Sequence, residues 1–132
     1  MITNMKELEG RKVTGLLVND DQSTLVVETD QGDVIFDAYD DCCSETWFAD
    51  ITGVSALLGG TVLEAEDVEL PEVVDGRTRQ EYDQFYGVKL RTDKGYADIV
   101  YRNSSNGYYG GNLVVGKDRP ENLTPITDDW RA

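Results

Sequence analysis

Short apolar runs separated by turn residues, with one clear period-of-two alternation, recur along most of this chain and predict strands. Residues 13–18 and 24–29 are rich in Val, Leu and Thr, which suit a pleated, half-buried surface. The turn-forming run Asn19-Asp20-Asp21-Gln22 between them makes a hairpin. Asp30-Gln31-Gly32 leads into a third strand over residues 33–39, completing a three-stranded meander. Residues 61–70 read as a strand with an acidic face. The clearest alternation is in residues 81–92: Tyr82, Gln84, Tyr86, Val88 and Leu90 fall on one side, Glu81, Asp83, Lys89 and Arg91 on the other. A turn at Thr92-Asp93-Lys94-Gly95 leads to a strand over 96–102, and residues 112–115 form a short last one.

One stretch departs from this pattern. Over residues 44–58 apolar residues fall at Trp47, Ile51, Val54 and Leu58, the spacing of one helical face. Ser44 is placed to cap such a helix, Glu45 and Asp50 lie near its positive end, and Gly59-Gly60 would stop it. Gly53 would cost about 1 kcal/mol inside the helix and could divide it into two turns. The expected fold is therefore α+β, a mainly antiparallel sheet of about six to seven strands packed against one central helix. Residues 1–132 read as one domain: a polar lead-in over 1–12, a core over 13–116, and an irregular tail over 117–132 with Trp130 as its anchor. Residues 71–78, with Pro, Gly and charge, read as a loop.

Charge changes the functional picture. The net charge is −14, and residues 13–76 contain no Lys or Arg. Sixteen acids fall in that segment, giving it −16, while the 12 basic residues leave the remainder at +2. A single-sign segment of this size repels nucleic acid and anionic membranes and attracts basic surfaces; it also serves solubility. No apolar run reaches the roughly 18 residues of a membrane span and no signal peptide opens the sequence, so a cytoplasmic protein is expected. The only two cysteines, Cys42 and Cys43, are adjacent. They read as packing thiols in a reducing compartment, since neighbouring cysteines make a strained disulfide ring. With no His and no second Cys pair, a zinc site is not expected. Asp37, Asp40 and Asp41 lack the spacing of a calcium loop and read as a solvated strand end, so no metal or cofactor is expected.

Catalytic motifs are absent from the sequence. No His is available as a base, no Gly-rich phosphate loop precedes a helix, and Ser44, Ser104 and Ser105 have no evident base partner. No catalytic residue is assigned, and the expectation is a non-enzymatic protein. The most site-like run is 101–111, which gathers tyrosines, Asn and Ser around one guanidinium. Arg102, Asn103, Ser104, Asn106, Tyr108 and Tyr109 are the candidate ligand- or partner-binding residues there. A structural Asn-Gly turn would use the same residues. Glu64, Glu66, Asp67 and Glu69 are the candidate acidic partner face.

At Asp41-Cys42-Cys43-Ser44-Glu45-Thr46-Trp47-Phe48, and again through Tyr101-Arg102-Asn103-Ser104-Ser105-Asn106-Gly107-Tyr108-Tyr109-Gly110-Gly111, the chain resembles a functionally uncharacterised domain family. That family is encoded largely by bacteriophages and prophage-bearing bacteria, and the likeness spans much of residues 13–115. The resemblance implies a small phage accessory protein acting inside a bacterial host, and it transfers no active site. Two expectations follow. In the first, the acidic segment occupies a basic, nucleic-acid-binding surface of a host protein, as a DNA mimic or anti-defence protein would. In the second, the 102–109 loop sequesters a small nucleotide-like ligand. Direct binding of nucleic acid or membrane is not expected, and homo-oligomerisation is left open.

Overall fold

The computed structural model describes residues 4–40, 44–70, 82–105 and 111–132. Among these residues ten strands follow one another with two short helical turns. The strands are β1 (Val13–Asn19), β2 (Thr24–Thr29), β3 (Gly32–Asp40), β4 (Ser44–Thr52), β5 (Val62–Glu69), β6 (Tyr82–Thr92), β7 (Gly95–Ser105), β8 (Gly111–Gly116), β9 (Leu123–Pro125) and β10 (Trp130–Arg131). A 3-10 turn, Asn4–Leu8, precedes them, and α1, Val54–Leu57, follows β4. The strands form two antiparallel five-stranded sheets, ordered β8-β3-β2-β1-β9 and β10-β4-β7-β6-β5.

One apolar core lies between the sheets. Alternation along each strand directs Leu16, Val18, Leu25, Val27 and Phe36 of the first sheet and Phe48, Val88, Leu90 and Ile99 of the second into it. The predicted meander of β1, β2 and β3 is present, as is the β6–β7 hairpin, which pairs in register from Tyr82↔Ser105 to Thr92↔Gly95.

The central helix is not. Residues 44–52 form a strand, and the helical portion is the four-residue α1, so the architecture is two β-sheets rather than α+β. Two features hide this strand in the sequence. Between Phe48 and Asp50 the pairing of β4 with β7 shifts at a β-bulge, which moves the inward position from Phe48 to Ile51 and imitates helical spacing. In addition, Thr46, Trp47, Phe48 and Ala49 are all buried, whichever face they occupy. A strand buried on both faces loses its alternation. Gly53 then separates β4 from α1: its φ is 74°, and a Cβ there would stand 2.2 Å from the Tyr96 carbonyl oxygen. Only glycine fits.

Both chain ends differ from expectation as well. The first dozen residues are not a lead-in outside the core, because Met5 and Leu8 are fully buried within it. The tail is partly regular, with β9 pairing to β1 and β10 to β4, and Trp130 packs against the core.

Candidate functional site

A cavity of about 420 Å³ opens where the β1–β2 turn, the end of β3 and the start of β4 meet. Local hydrogen bonding builds its walls. The Asp21 carboxylate accepts from the backbone N–H of Ser23 at 3.1 Å and from its hydroxyl at 2.5 Å. The Asn19 side chain accepts from the Thr24 N–H at 2.9 Å and donates to the Ser23 hydroxyl at 3.0 Å. These are the bonds by which Asp and Asn close turns on their own backbone. Gln22 takes the left-handed conformation, φ 61°. Main-chain bonds then tie the turn to both sheets: the Ala38 N–H donates to the Ser23 carbonyl at 2.7 Å and the Phe48 N–H to the Gln22 carbonyl at 2.8 Å. The turn therefore spans β3 of one sheet and β4 of the other.

The lining is Asp21, Ser23, Thr24, Asp37, Ala38, Glu45 and Thr46. Three acidic and three hydroxyl-bearing residues thus line one space, and no Lys or Arg among the described residues does. Thr24 donates its hydroxyl to Asp37 at 2.7 Å. The Ser23 hydroxyl, chiefly, holds the Asp21 carboxyl below its ordinary pKa, so Asp21 is charged near neutrality. Behind the wall, Asn103 donates its amide to the Thr46 hydroxyl at 2.8 Å. Its Oδ1 is buried with no hydrogen-bond partner, which costs about 1–3 kcal/mol. A space walled this way suits a cationic hydrogen-bond donor, since every carboxylate oxygen is an acceptor. Among the described residues no three His, Cys, Asp or Glu gather closely enough to hold a metal ion.

The sequence-predicted site lies elsewhere and takes a different form. Residues 101–105 continue β7 rather than opening a loop. Arg102, Asn103 and Ser104 are all fully buried. The Arg102 guanidinium lies between its two cross-strand neighbours, 4.3 Å from the Phe85 ring and 5.5 Å from that of Trp47, an arrangement that favours a desolvated cation. Strand alternation sends Asn103 to the opposite face, toward Thr46. Arg102 and Asn103 therefore do not converge on one ligand. Asn106, Tyr108 and Tyr109 lie outside the described residues, as do Cys42 and Cys43.

The acidic quartet is divided too. Glu64 faces Arg91 across the ladder, with an ion pair at 3.5 Å, and Glu66 faces Lys89. Asp67 lies on the other side of β5, where its charge, after burial, helps push the Tyr101 hydroxyl up to about 12. The Glu69 side chain lies outside the described residues. The acids that do converge, Asp21, Asp37 and Glu45, were legible only in part. Asp37 sits in the Asp37–Asp41 run and Asp21 in the turn, but only the folding of residues 44–52 as β4 brings Glu45 beside them.

No helix among the described residues is long and apolar enough to cross a membrane. No solved structure matches the chain significantly. A curated relative, an uncharacterized protein of Acanthamoeba polyphaga mimivirus, is 37% identical over 98 residues, covering 69% of this chain and 73% of the relative. Residues 6–115 match a domain of unknown function, DUF7448, and the chain belongs to that family.

Proposed function

We propose that this protein is a non-enzymatic binding module that docks onto a basic protein surface and receives a cationic side chain in the cavity at the sheet ends. The observation that carries this reading is the wall itself: Asp21, Asp37 and Glu45 with Ser23, Thr24 and Thr46, and no cationic side chain among them. The surrounding sequence supports it, since residues 13–76 hold sixteen acids and no Lys or Arg. Long-range attraction would speed encounter with a basic partner, and the cavity would supply short-range selectivity. A viral relative accords with an accessory role against a host component; a phage origin, a cytoplasmic site of action and inhibition of host defence belong to the same proposal.

Calorimetry with an arginine-rich peptide at low and high salt tests this. Removing three charges at the cavity, Asp21→Asn with Asp37→Asn and Glu45→Gln, should weaken binding at least tenfold, because each charge-assisted bond is worth about 1.5–3 kcal/mol. Removing three elsewhere, Glu64→Gln with Glu66→Gln and Asp67→Asn, should weaken it far less. Equal losses in the two triple variants would reduce the effect to net charge and remove the cavity from the account.

A further inference from the structure

β8 and β9 lie on opposite edges of the first sheet, so residues 117–122 must cross it. The inner face is filled by the core, which leaves the outer face. Four strand spacings amount to about 19 Å, and seven Cα steps from Gly116 to Leu123 reach about 24 Å. The crossing segment therefore has little slack and lies close to the sheet.

What it crosses is apolar. Val26 of β2 is 0% exposed and Ile35 of β3 is 6% exposed, yet neither belongs to the core between the sheets. Alternation places both on the outer face, in one row with Leu17 of β1, because Leu17↔Val26 and Val26↔Ile35 are register partners. A small side chain at the centre of a sheet face loses all exposure only beneath another layer. Among the described residues, the crossing segment is the one that the strand order carries over this face.

Its attachment is narrow. No main-chain hydrogen bond ties residues 117–122 to other described residues. Arg119 is the visible fastening, with Nη1 donating to Glu28 at 3.1 Å and to Asp33 at 2.7 Å. Glu28 and Asp33 are cross-strand partners on the same outer face. Gly15 leaves room for the Glu28 carboxylate, which a Cβ at residue 15 would approach to 2.2 Å. All three charged side chains remain partly in water, at 38–41% exposure, where salt weakens such pairs.

We infer that residues 117–122 are a salt-sensitive latch, fastened by Arg119 to Glu28 and Asp33, which hides an apolar row formed by Leu17, Val26 and Ile35 on the outer face of the first sheet. Opening it would expose an apolar row on that face without disturbing the core. The latch also lies beyond the family match, which ends at residue 115.

Thiol labelling of the full-length chain tests this. With Cys42 and Cys43 replaced by Ser, Val26→Cys places a probe under the latch, and Val27→Cys places a control on the inner face of the same strand. Arg119→Ala should raise the labelling rate at position 26 by about three- to tenfold, the range for losing two exposed ion pairs, and leave position 27 unchanged. Sodium chloride at 0.5 M should raise the rate at position 26 in the Arg119 protein and much less in Arg119→Ala. Arg119→Lys, which retains the charge, should fall between the two. Equal rates at positions 26 and 27 in every variant, or no response at position 26 to Arg119→Ala, would overturn the inference.

Discussion

The two chain ends perform the same task by different means. The N-terminal turn closes one side of the two-sheet body with apolar side chains: Met5 and Leu8 are fully buried, and both join the central core. Its flanks seal strand edges. Asn4 donates its side-chain amide to the Leu113 carbonyl of β8, and Glu9 accepts the Ala65 N–H of β5 at 2.9 Å. The C-terminal arm closes the other side mostly with backbone and charge. Three residues of β9 extend β1, two residues of β10 extend β4, and Arg119 fastens the crossing between β8 and β9. Its apolar contribution to the core is Ile126, with Trp130 packed against the margin. A closure made of buried side chains opens only when the core opens, whereas one made of short edge strands and surface ion pairs can open alone. The turn should therefore belong to the global folding unit, and the arm to a less stable one.

The sharpest way to break this comparison is to truncate a buried residue on each side. Leu8→Ala should cost about 2–5 kcal/mol, because it leaves a cavity in the shared core. The loss would appear in urea unfolding and in hydrogen exchange throughout both sheets. Ile126→Ala should cost about 2 kcal/mol or less. Its effect should concentrate in the arm, where the Ile126 N–H donates to the Leu16 carbonyl and the Ala132 N–H to the Ala49 carbonyl, both at 2.8 Å. Those two amides should exchange faster while the β6 and β7 amides hold their rates. Uniform acceleration in the Ile126→Ala protein would show that arm and core open together.

A finer division lies within the arm. The Asp129 carboxylate accepts the Val54 N–H at 3.1 Å, capping α1 from a distance of 75 residues. Gly53, at the usual capping position, has no side chain to do this. Asp129→Ala should cost about 1 kcal/mol, the usual value of a helix cap. That loss should be absent from a chain in which the arm is already released. A double-mutant cycle with Ile126→Ala measures the dependence, and additive losses would mean that α1 does not sense the arm.

The sequence disclosed this architecture unevenly. Strands with one wet face are plain, because Val88 and Leu90 alternate with Lys89 and Arg91 and face the core as expected. β4 was hidden because a bulge and burial on both faces removed its period of two. The N-terminal turn was hidden because two buried residues, Met5 and Leu8, stand among Lys6, Glu7 and Glu9, and five residues are too few to show a pattern. In the sequence Arg102 stands as a lone cation among Asn, Ser and Tyr. In the fold it serves as the filling between Trp47 and Phe85. The cavity acids come from a turn, a strand end and a strand start, which only pairing brings together.

The smallest predicted effect concerns charge at the turn. Glu9 is held below its ordinary pKa, chiefly by the Ala65 N–H and then by Lys6, whose Nζ lies 3.2 Å away. A carboxyl with a depressed folded-state value releases its proton more readily in the folded chain than in the unfolded one. Its contribution is present above the unfolded value, 4.5, and is lost as pH falls through the folded value below that. Glu9→Gln removes the titration but keeps a carbonyl oxygen able to accept the Ala65 N–H. The variant should resemble the parent at acid pH and fall slightly behind it at pH 7, the difference developing as pH rises through the carboxylate range. Urea midpoints at pH 3, 5 and 7 would measure this. A parent-to-variant difference that stays constant with pH would mean that the carboxylate charge does not secure the turn against the β5 edge.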